Sequence, residues 1–342
     1  MGHRPGVGPM LVSGSGRDAV GQSALRLLMQ RLPGVSAIDG QASTELPVLS
    51  DPPVLRSAQL VEGSVLRAIK VQAAPADIQS GFGAFLDGAQ RVQIMGHYAG
   101  IPIVYGTASA AIRIRLNRRM ATWGHQPPRV QRKFFLPLRY LPALGDVASF
   151  GGVTGLEIVD TSKPDRAGAF PSLHPTALLE RAMRAVDDMR EQLEHQLAEA
   201  WCAVGEAPLF MDGGISGNPR VASSACAIGV VKSHRTLFVE DDALRTVFGL
   251  ARGERSSVFR VSPRSRSSVI SWYLRVREAR GHDAMWGLVR VEAAECDRPA
   301  ERAEDISRWV MAEMSPLSLP DGRWDKMAYG VRDCEEFLRA IS

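Results

Sequence analysis

The run Leu209-Phe210-Met211-Asp212-Gly213-Gly214 stops abruptly on an acid and two glycines. Its apolar part reads as a buried strand. Glycine directly after the acid lets the backbone turn sharply, so the strand end would hold the Asp212 carboxylate rigidly at the edge of a sheet. The phrase has a second copy upstream, Ala84-Phe85-Leu86-Asp87-Gly88, with the same order of aromatic, aliphatic, aspartate and glycine. Two such strands in one sheet would present two carboxylates to one point, which is the ligand chemistry of a divalent metal. Taken singly, Asp-Gly after an apolar run is also an ordinary turn signal. The repetition is what favours chemistry.

Around the first copy, Phe82 to Leu86, Val92 to His97 and Ile101 to Ile114 alternate or run apolar, which predicts a strand meander with Asp87 at its opening. Proline, glycine and arginine make 117–172 read as largely irregular. Ser172 to Trp201 is the clearest helix, because Leu179, Val186, Leu193, Leu197 and Trp201 recur on one stripe and Pro175 falls in the first turn. The row Glu180, Asp187, Glu194 flanks that stripe. One acid of this helix would reach a site beside Asp212 if the helix packs there; Glu194 is the first choice, with Glu191 and Glu180 as rivals.

Beyond Asp212, strands are predicted at Ala225 to Val231, Ser257 to Val261, Val269 to Val276 and Met285 to Val291. Helices are predicted at Asp242 to Leu250, near Glu304 to Met314 and at Arg332 to Ala340, with a turn at Arg252 to Arg255. At the other end, Ala19 to Leu32 reads as a helix closed by Pro33-Gly34. The pattern does not tie this helix to the core, so it reads as docking surface for a partner or as a cover for a sheet edge. The order of elements predicts an α/β fold with a mixed sheet flanked by helices over 61–342, preceded by a flexible extension over 1–60 that carries one helix.

The 342 residues are 45% apolar, enough for a sizeable core, and no window approaches eighteen uninterrupted apolar residues. The start lacks the order of a signal peptide, so the expectation is a soluble, cytoplasmic protein with no membrane partner. Cys202, Cys226, Cys296 and Cys334 lie far apart with no C-x-x-C pair, which argues against a zinc knuckle or a disulfide framework and for buried or inert thiols. The seven histidines include no i, i+4 pair, so a zinc hydrolase is disfavoured and His97 and His234 read as strand-edge or surface residues. Ser13-Gly14-Ser15-Gly16 lacks the lysine of a phosphate-binding loop.

The formal charge is only +4, but it is unevenly spread. No acid stands between Asp87 and Asp146, whereas Arg113, Arg115, Arg118, Arg119, Arg132 and Lys133 all fall in that interval. Such a block predicts contact with nucleic-acid phosphate; a solvated basic face is the plainer alternative.

Four short motifs then stand in a telling order: Phe85-Leu86-Asp87-Gly88-Ala89, Arg190-Glu191-Gln192-Leu193-Glu194, Phe210-Met211-Asp212-Gly213 and Ile228-Gly229-Val230-Val231-Lys232-Ser233. The order resembles the NurA family of DNA-end-processing nucleases, whose core is RNase H-like. Trp272-Tyr273-Leu274-Arg275 and Gly287-Leu288-Val289-Arg290-Val291-Glu292 look like that family's late antiparallel strands. The resemblance covers roughly 80–342. It implies a metal-dependent DNA nuclease in which Asp87, Glu194 and Asp212, with Glu191, ligate Mn²⁺ or Mg²⁺ while Lys232 takes part in catalysis. It also implies a homodimer working with a HerA-like hexameric ATPase in DNA end resection, repair or anti-phage defence. There are departures: Ala89 and Gly214 replace the serine of the family's usual Asp-Gly-Ser, and no histidine follows His282. Asp321-Gly322-Arg323 ahead of Tyr329 and Arg332 looks more like the bacterial branch. Two alternatives stay open: a catalytically silent NurA-like DNA-binding subunit of the same complex, and another RNase H-like nuclease such as an integrase or resolvase.

Overall fold

Apolar alternation in the sequence becomes sixteen strands in the computed structural model, which describes residues 19–32, 34–37, 52–72, 80–117, 119–144, 157–165, 168–205, 207–262, 266–314 and 326–341. In chain order the strands are β1 (Val35–Ala37), β2 (Val54–Leu55), β3 (Gln59–Leu60), β4 (Ala68–Lys70), β5 (Ala84–Tyr98), β6 (Ile101–Leu116), β7 (Arg119–Thr122) and β8 (Arg129–Leu136). They continue as β9 (Glu157–Asp160), β10 (Leu209–Asp212), β11 (Ala227–Val231), β12 (Thr236–Leu237), β13 (Glu254–Ser256), β14 (Phe259–Val261), β15 (Val269–Arg275) and β16 (Leu288–Ala293). The helices are α1 (Ala19–Arg31), α2 (Pro175–Val204), α3 (Pro219–Ala222), α4 (Asp242–Phe248), α5 (Pro299–Glu313) and α6 (Tyr329–Ile341). This is the expected α/β architecture, a mixed sheet flanked by helices of RNase H-like type.

The described residues fall into two units: those within Met1–Leu49, Arg91–Thr107 and Arg132–Val186, and those within Ser50–Gln90, Ala108–Gln131 and Asp187–Ser342. In the second unit the strand order is β3-β14-β15-β16-β11-β10-β5-β6. The neighbours of β10 are both parallel to it, while β11, β16, β15 and β14 run antiparallel to one another in turn. Phe85, Phe210, Ile228, Val230, Trp272, Leu274 and Val291 share one face of this sheet and meet Ile306 and Val310 of α5 and Val331 and Cys334 of α6. The buried Trp272 indole is satisfied there by donating to Ser307 Oγ at 2.9 Å. Gly330 of α6 lies directly on the Phe85 ring, so any side chain at 330 would drive the helix off the sheet.

In the first unit β1 pairs antiparallel with the far part of β5, and β8 pairs parallel with β9. Ala24, Leu28 and Leu32 pack with Val35, Ile103, Tyr105, Phe134 and Leu136 in its core. The N-terminal helix is therefore core, not spare docking surface. Its i, i+4, i+8 apolar row is short enough to pass unnoticed between polar neighbours. The boundary expected near residue 60 does not coincide with the observed division either, because the two units interleave along the chain.

Other expectations also change. Phe82 to Leu86 and Val92 to His97 are one strand, β5, so Asp87 stands inside a strand and not at its end. The stretch 117–172 contains β7, β8 and β9. Long basic side chains on β8 masked a pattern whose apolar half, Phe134 to Leu136, is fully buried. The turn expected at Arg252 to Arg255 runs into β13, which bridges β4 and β15. The long helix α2 appears as expected, with its whole predicted stripe buried.

Candidate carboxylate site

β5 and β10 lie side by side with Ala84, Phe85 and Leu86 opposite Leu209, Phe210 and Met211. The two copies of the repeated phrase are thus aligned in register, and the next residue of each strand is its aspartate. Side chains alternate between faces along a strand. Asp87 accordingly lies on the face of Phe85, and Asp212 on the face of Phe210, which is the same face. Lys232, just beyond β11, closes the group: its Nζ donates to Asp212 Oδ2 at 2.8 Å.

The strand ends differ. At Asp212 the chain does turn, with Gly213 at φ +134°. At Asp87 the strand continues, and Gly88 serves a different purpose. It faces α2, and a β-carbon there would strike Glu194 Oε1 and the Arg190 side chain. Glu194 is in turn clasped by Arg190, which also donates to Asp187 Oδ1 at 2.8 Å. Of the three rival helix acids, Glu194 is the buried one against β5; Glu191 is half-buried beside it, and Glu180 belongs to the first unit.

Electrostatics sets these acids apart. Asp87 is 7% exposed, and burial pushes its carboxyl well above the usual range; the Asp212 and Glu194 charges push the same way, against Lys232 and the Gly88 N–H. Glu194 is raised to about 7, first by burial, which outweighs its Arg190 partner, and further by the Glu191 and Asp212 charges. Burial is the larger cause at both carboxyls, and like charge from neighbouring acids adds to it even though Arg190 and Lys232 stand beside them.

Hard carboxylate oxygens are the donors that Mg²⁺ or Mn²⁺ prefer, so the chemistry of Asp87 and Asp212 fits such an ion. The placement fits only in part. Among the described residues no three His, Cys, Asp or Glu side chains stand together as a metal-holding group. Strand alternation supplies the reason: Asp87 and Asp212 share one face, while Glu194 reaches β5 from the other, across Gly88.

The arginines assigned to phosphate contact are placed otherwise. Arg113 donates to Asp333 Oδ1 at 2.6 Å and to Thr122 Oγ1 at 2.7 Å, and lies over the Phe337 ring. Arg115 makes a two-pronged pair with Glu313, both contacts 2.8 Å, and stacks on Phe85. Lys133 pairs with Glu157 at 2.7 Å, and Arg132 is also engaged. The sequence interval lacks acids, but the fold brings acids to it from α5, α6 and β9. Arg119 is exposed, and Arg118 lies outside the described residues.

Three further features escaped sequence reasoning. Glu292, 2% exposed, accepts the Ile215 N–H at 2.8 Å and the Ser216 N–H at 3.4 Å, bracing the loop that follows Asp212. A β-carbon on Gly214 would come within 2.8 Å of the same carboxylate, so glycine keeps this loop against Glu292. Cys202 and Cys226 are distant in the chain yet hydrogen-bonded in space. That bond pulls the Cys226 thiol down to about 6 and pushes Cys202 up. His234 is mostly buried, with Nε2 2.7 Å from the Leu288 carbonyl, and burial lowers it to about 4.

No protein-family model matches the chain, and no curated protein matches it either. No helix among the described residues is long and apolar enough to cross a membrane.

Proposed function

We propose that the chain is a metal-dependent nuclease that cuts DNA at or near its ends. One observation carries this reading: two copies of one Asp-Gly phrase lie in register on adjacent parallel strands, with a lysine on one aspartate and the other carboxyl buried. In this reading Asp87 and Asp212 would hold Mn²⁺ or Mg²⁺; Glu194, with Glu191 behind it, approaches from the other face of β5, where Gly88 puts no side chain in the way. Such an ion would supply Lewis acidity to offset charge on the scissile phosphate. Lys232 orients Asp212 and brings a fixed positive charge to the edge where a phosphate would lie. Because the sequence has no lysine-bearing phosphate loop, a HerA-like hexameric ATPase would supply DNA movement to a homodimer of this chain, in end resection, repair or anti-phage defence.

The test is digestion of linear duplex DNA by the purified chain with Mn²⁺ or Mg²⁺, with and without chelator, and then with a HerA-like ATPase and ATP. Metal-dependent loss of substrate is expected, with long-range resection only when the ATPase is present. Full processive resection by the chain alone would refute the ATPase partnership.

A second reading, a catalytically silent DNA-binding subunit of the same complex, is favoured by a different observation. Lys232 already occupies Asp212 and Arg190 already occupies Glu194, so internal cations stand where an ion would. DNA binding with no cutting under any divalent ion would select this reading.

A further inference from the structure

The loop that follows Asp212 also forms one wall of a cavity of about 330 Å³ in the second unit. Arg56, Arg266 and Arg290 line it, together with the hydroxyl-bearing Ser216 and Thr236 and the ring of Phe238. Three guanidinium groups around one cavity need explanation, because like charges repel unless an anion is shared between them. Only Arg290 has its charge met internally: Nη1 donates to Glu292 Oε1 at 2.5 Å and to Ser271 Oγ at 3.2 Å, and the group lies over Phe238. Glu292, which also lines the cavity, accepts from Arg290 and from the two loop N–H groups, so three guanidinium groups stand around one already engaged carboxylate. Arg56 and Arg266 are exposed. Neither guanidinium has an acid partner among the described residues.

The backbone holds both arginines in place. The Arg56 N–H donates to the Leu237 carbonyl at 2.8 Å, where β2 pairs with β12. The Ser267 N–H, next to Arg266, donates to the Ser216 carbonyl at 2.9 Å and so fastens that arginine to the loop after Asp212. Planar guanidinium groups with hydroxyls beside them recognise phosphate in particular, through paired charge-assisted hydrogen bonds.

We infer that this cavity binds a phosphomonoester, the terminal phosphate of a nucleic-acid strand, through Arg56 and Arg266 with Ser216 and Thr236. The choice of a strand end over free phosphate rests on the nuclease reading, since the loop that forms the cavity wall starts directly after Asp212. A terminal phosphate seated here would register the strand against the carboxylates.

The test measures binding in chelator, where no cutting occurs, using the full chain and fluorescent single-stranded oligodeoxynucleotides. Three probes are compared: one with a 5′ phosphate, one with a 3′ phosphate and one with neither, with inorganic phosphate as competitor. A phosphorylated probe should bind about tenfold more tightly than the unphosphorylated one, the scale of one charge-assisted hydrogen bond. R56Q and R266Q should each erase most of that advantage, lower affinity for the unphosphorylated probe far less, and leave the thermal melt unchanged, because both positions are exposed. Competition by inorganic phosphate that both variants abolish, with no preference among oligonucleotides, would keep the phosphate site and reassign it to the free anion. Equal affinity for all three probes with no phosphate competition overturns the proposal. A chain that cuts no DNA with Mn²⁺ yet prefers the phosphorylated probe would refute the nuclease reading and leave this one standing.

Discussion

Two regions of the second unit bury charge in opposite ways. Where β6 meets α5 and α6, two half-buried arginines meet acids: Arg113 meets Asp333, and Arg115 meets Glu313. Where β5 runs beside β10, Asp87 and Glu194 are buried, and burial raises both carboxyls, Glu194 in spite of its Arg190 partner. Burying a charge is costly in either place. At the first edge pairing offsets the cost, which is what a structural ion pair does. At the second, burial outweighs the cations present and the acids keep raised values, as expected of groups placed for a ligand or a reaction. Arginine is abundant in both regions, so composition does not separate them.

The largest effects should come from removing carboxylate charge at the second region. D87N and D212N should each lower metal-dependent cleavage by more than about a hundredfold, the scale at which single charge-stabilising groups act in transition states. Their melts should differ in sign. D87N relieves a buried, repelled carboxylate and should raise the melting temperature at neutral pH, whereas D212N strips Lys232 of its partner and should lower it slightly. If D87N is destabilised at neutral pH, the charge at Asp87 is structural and the contrast between the regions fails.

Next in size is a pH effect. Glu194 has a folded value of about 7 against an ordinary 4.5, so the folded chain binds this proton more tightly than the unfolded chain. Stability from this group is therefore full below about 4.5 and is lost as pH rises through 7, on the order of 3 kcal/mol in all. His234, lowered to about 4 by burial, works in the other direction, losing stability as pH falls from 6.5. The informative quantity is thus the difference between wild type and E194Q in chelator, which should shrink below pH 5, grow between about 4.5 and 7 and level off above 7. A pH-independent difference would show that Arg190 fully compensates Glu194.

How much of this was legible beforehand depends on range. The repeated phrase could be read, because strand formation and facing depend on neighbouring residues, and the two copies carry the same pattern into the same register. The stripe of α2 was equally local. Asp87 was misplaced at a strand end because glycine after an acid signals a turn, and nothing nearby in sequence reveals that Gly88 gives clearance to Glu194. The basic block misled for the same reason. Its acids lie 220 residues away for Arg113 and 198 for Arg115, so an acid-free interval in sequence is not an acid-free surface. Glu292 and the Cys202–Cys226 pair depend on contacts of that kind as well.

R115A should now behave as a stability variant. It leaves the Glu313 carboxylate, 4% exposed, without its partner and removes a cation from the Phe85 ring. A loss of about 2 kcal/mol in unfolding free energy is expected, with the salt dependence of DNA binding unchanged. The opposite pattern, a flatter salt dependence and an unchanged melt, would return Arg115 to the DNA surface.

The smallest effect expected is at Arg119, the exposed member of the block, and it sharpens the comparison most directly. It sits on β7 opposite Leu116, at the end of the hairpin that carries Arg113 and Arg115, so it shares their sequence context without their partners. An exposed cation with no internal role contributes little to folding, and R119A should shift the unfolding free energy by less than about 0.5 kcal/mol. If DNA passes this hairpin, losing one phosphate contact should reduce the slope of log affinity against log salt by about 0.9, whatever the DNA sequence. Binding isotherms at several salt concentrations, run beside R115A, separate the two kinds of arginine in one experiment. Slopes identical to wild type in both variants would take DNA off this hairpin and leave the region purely structural.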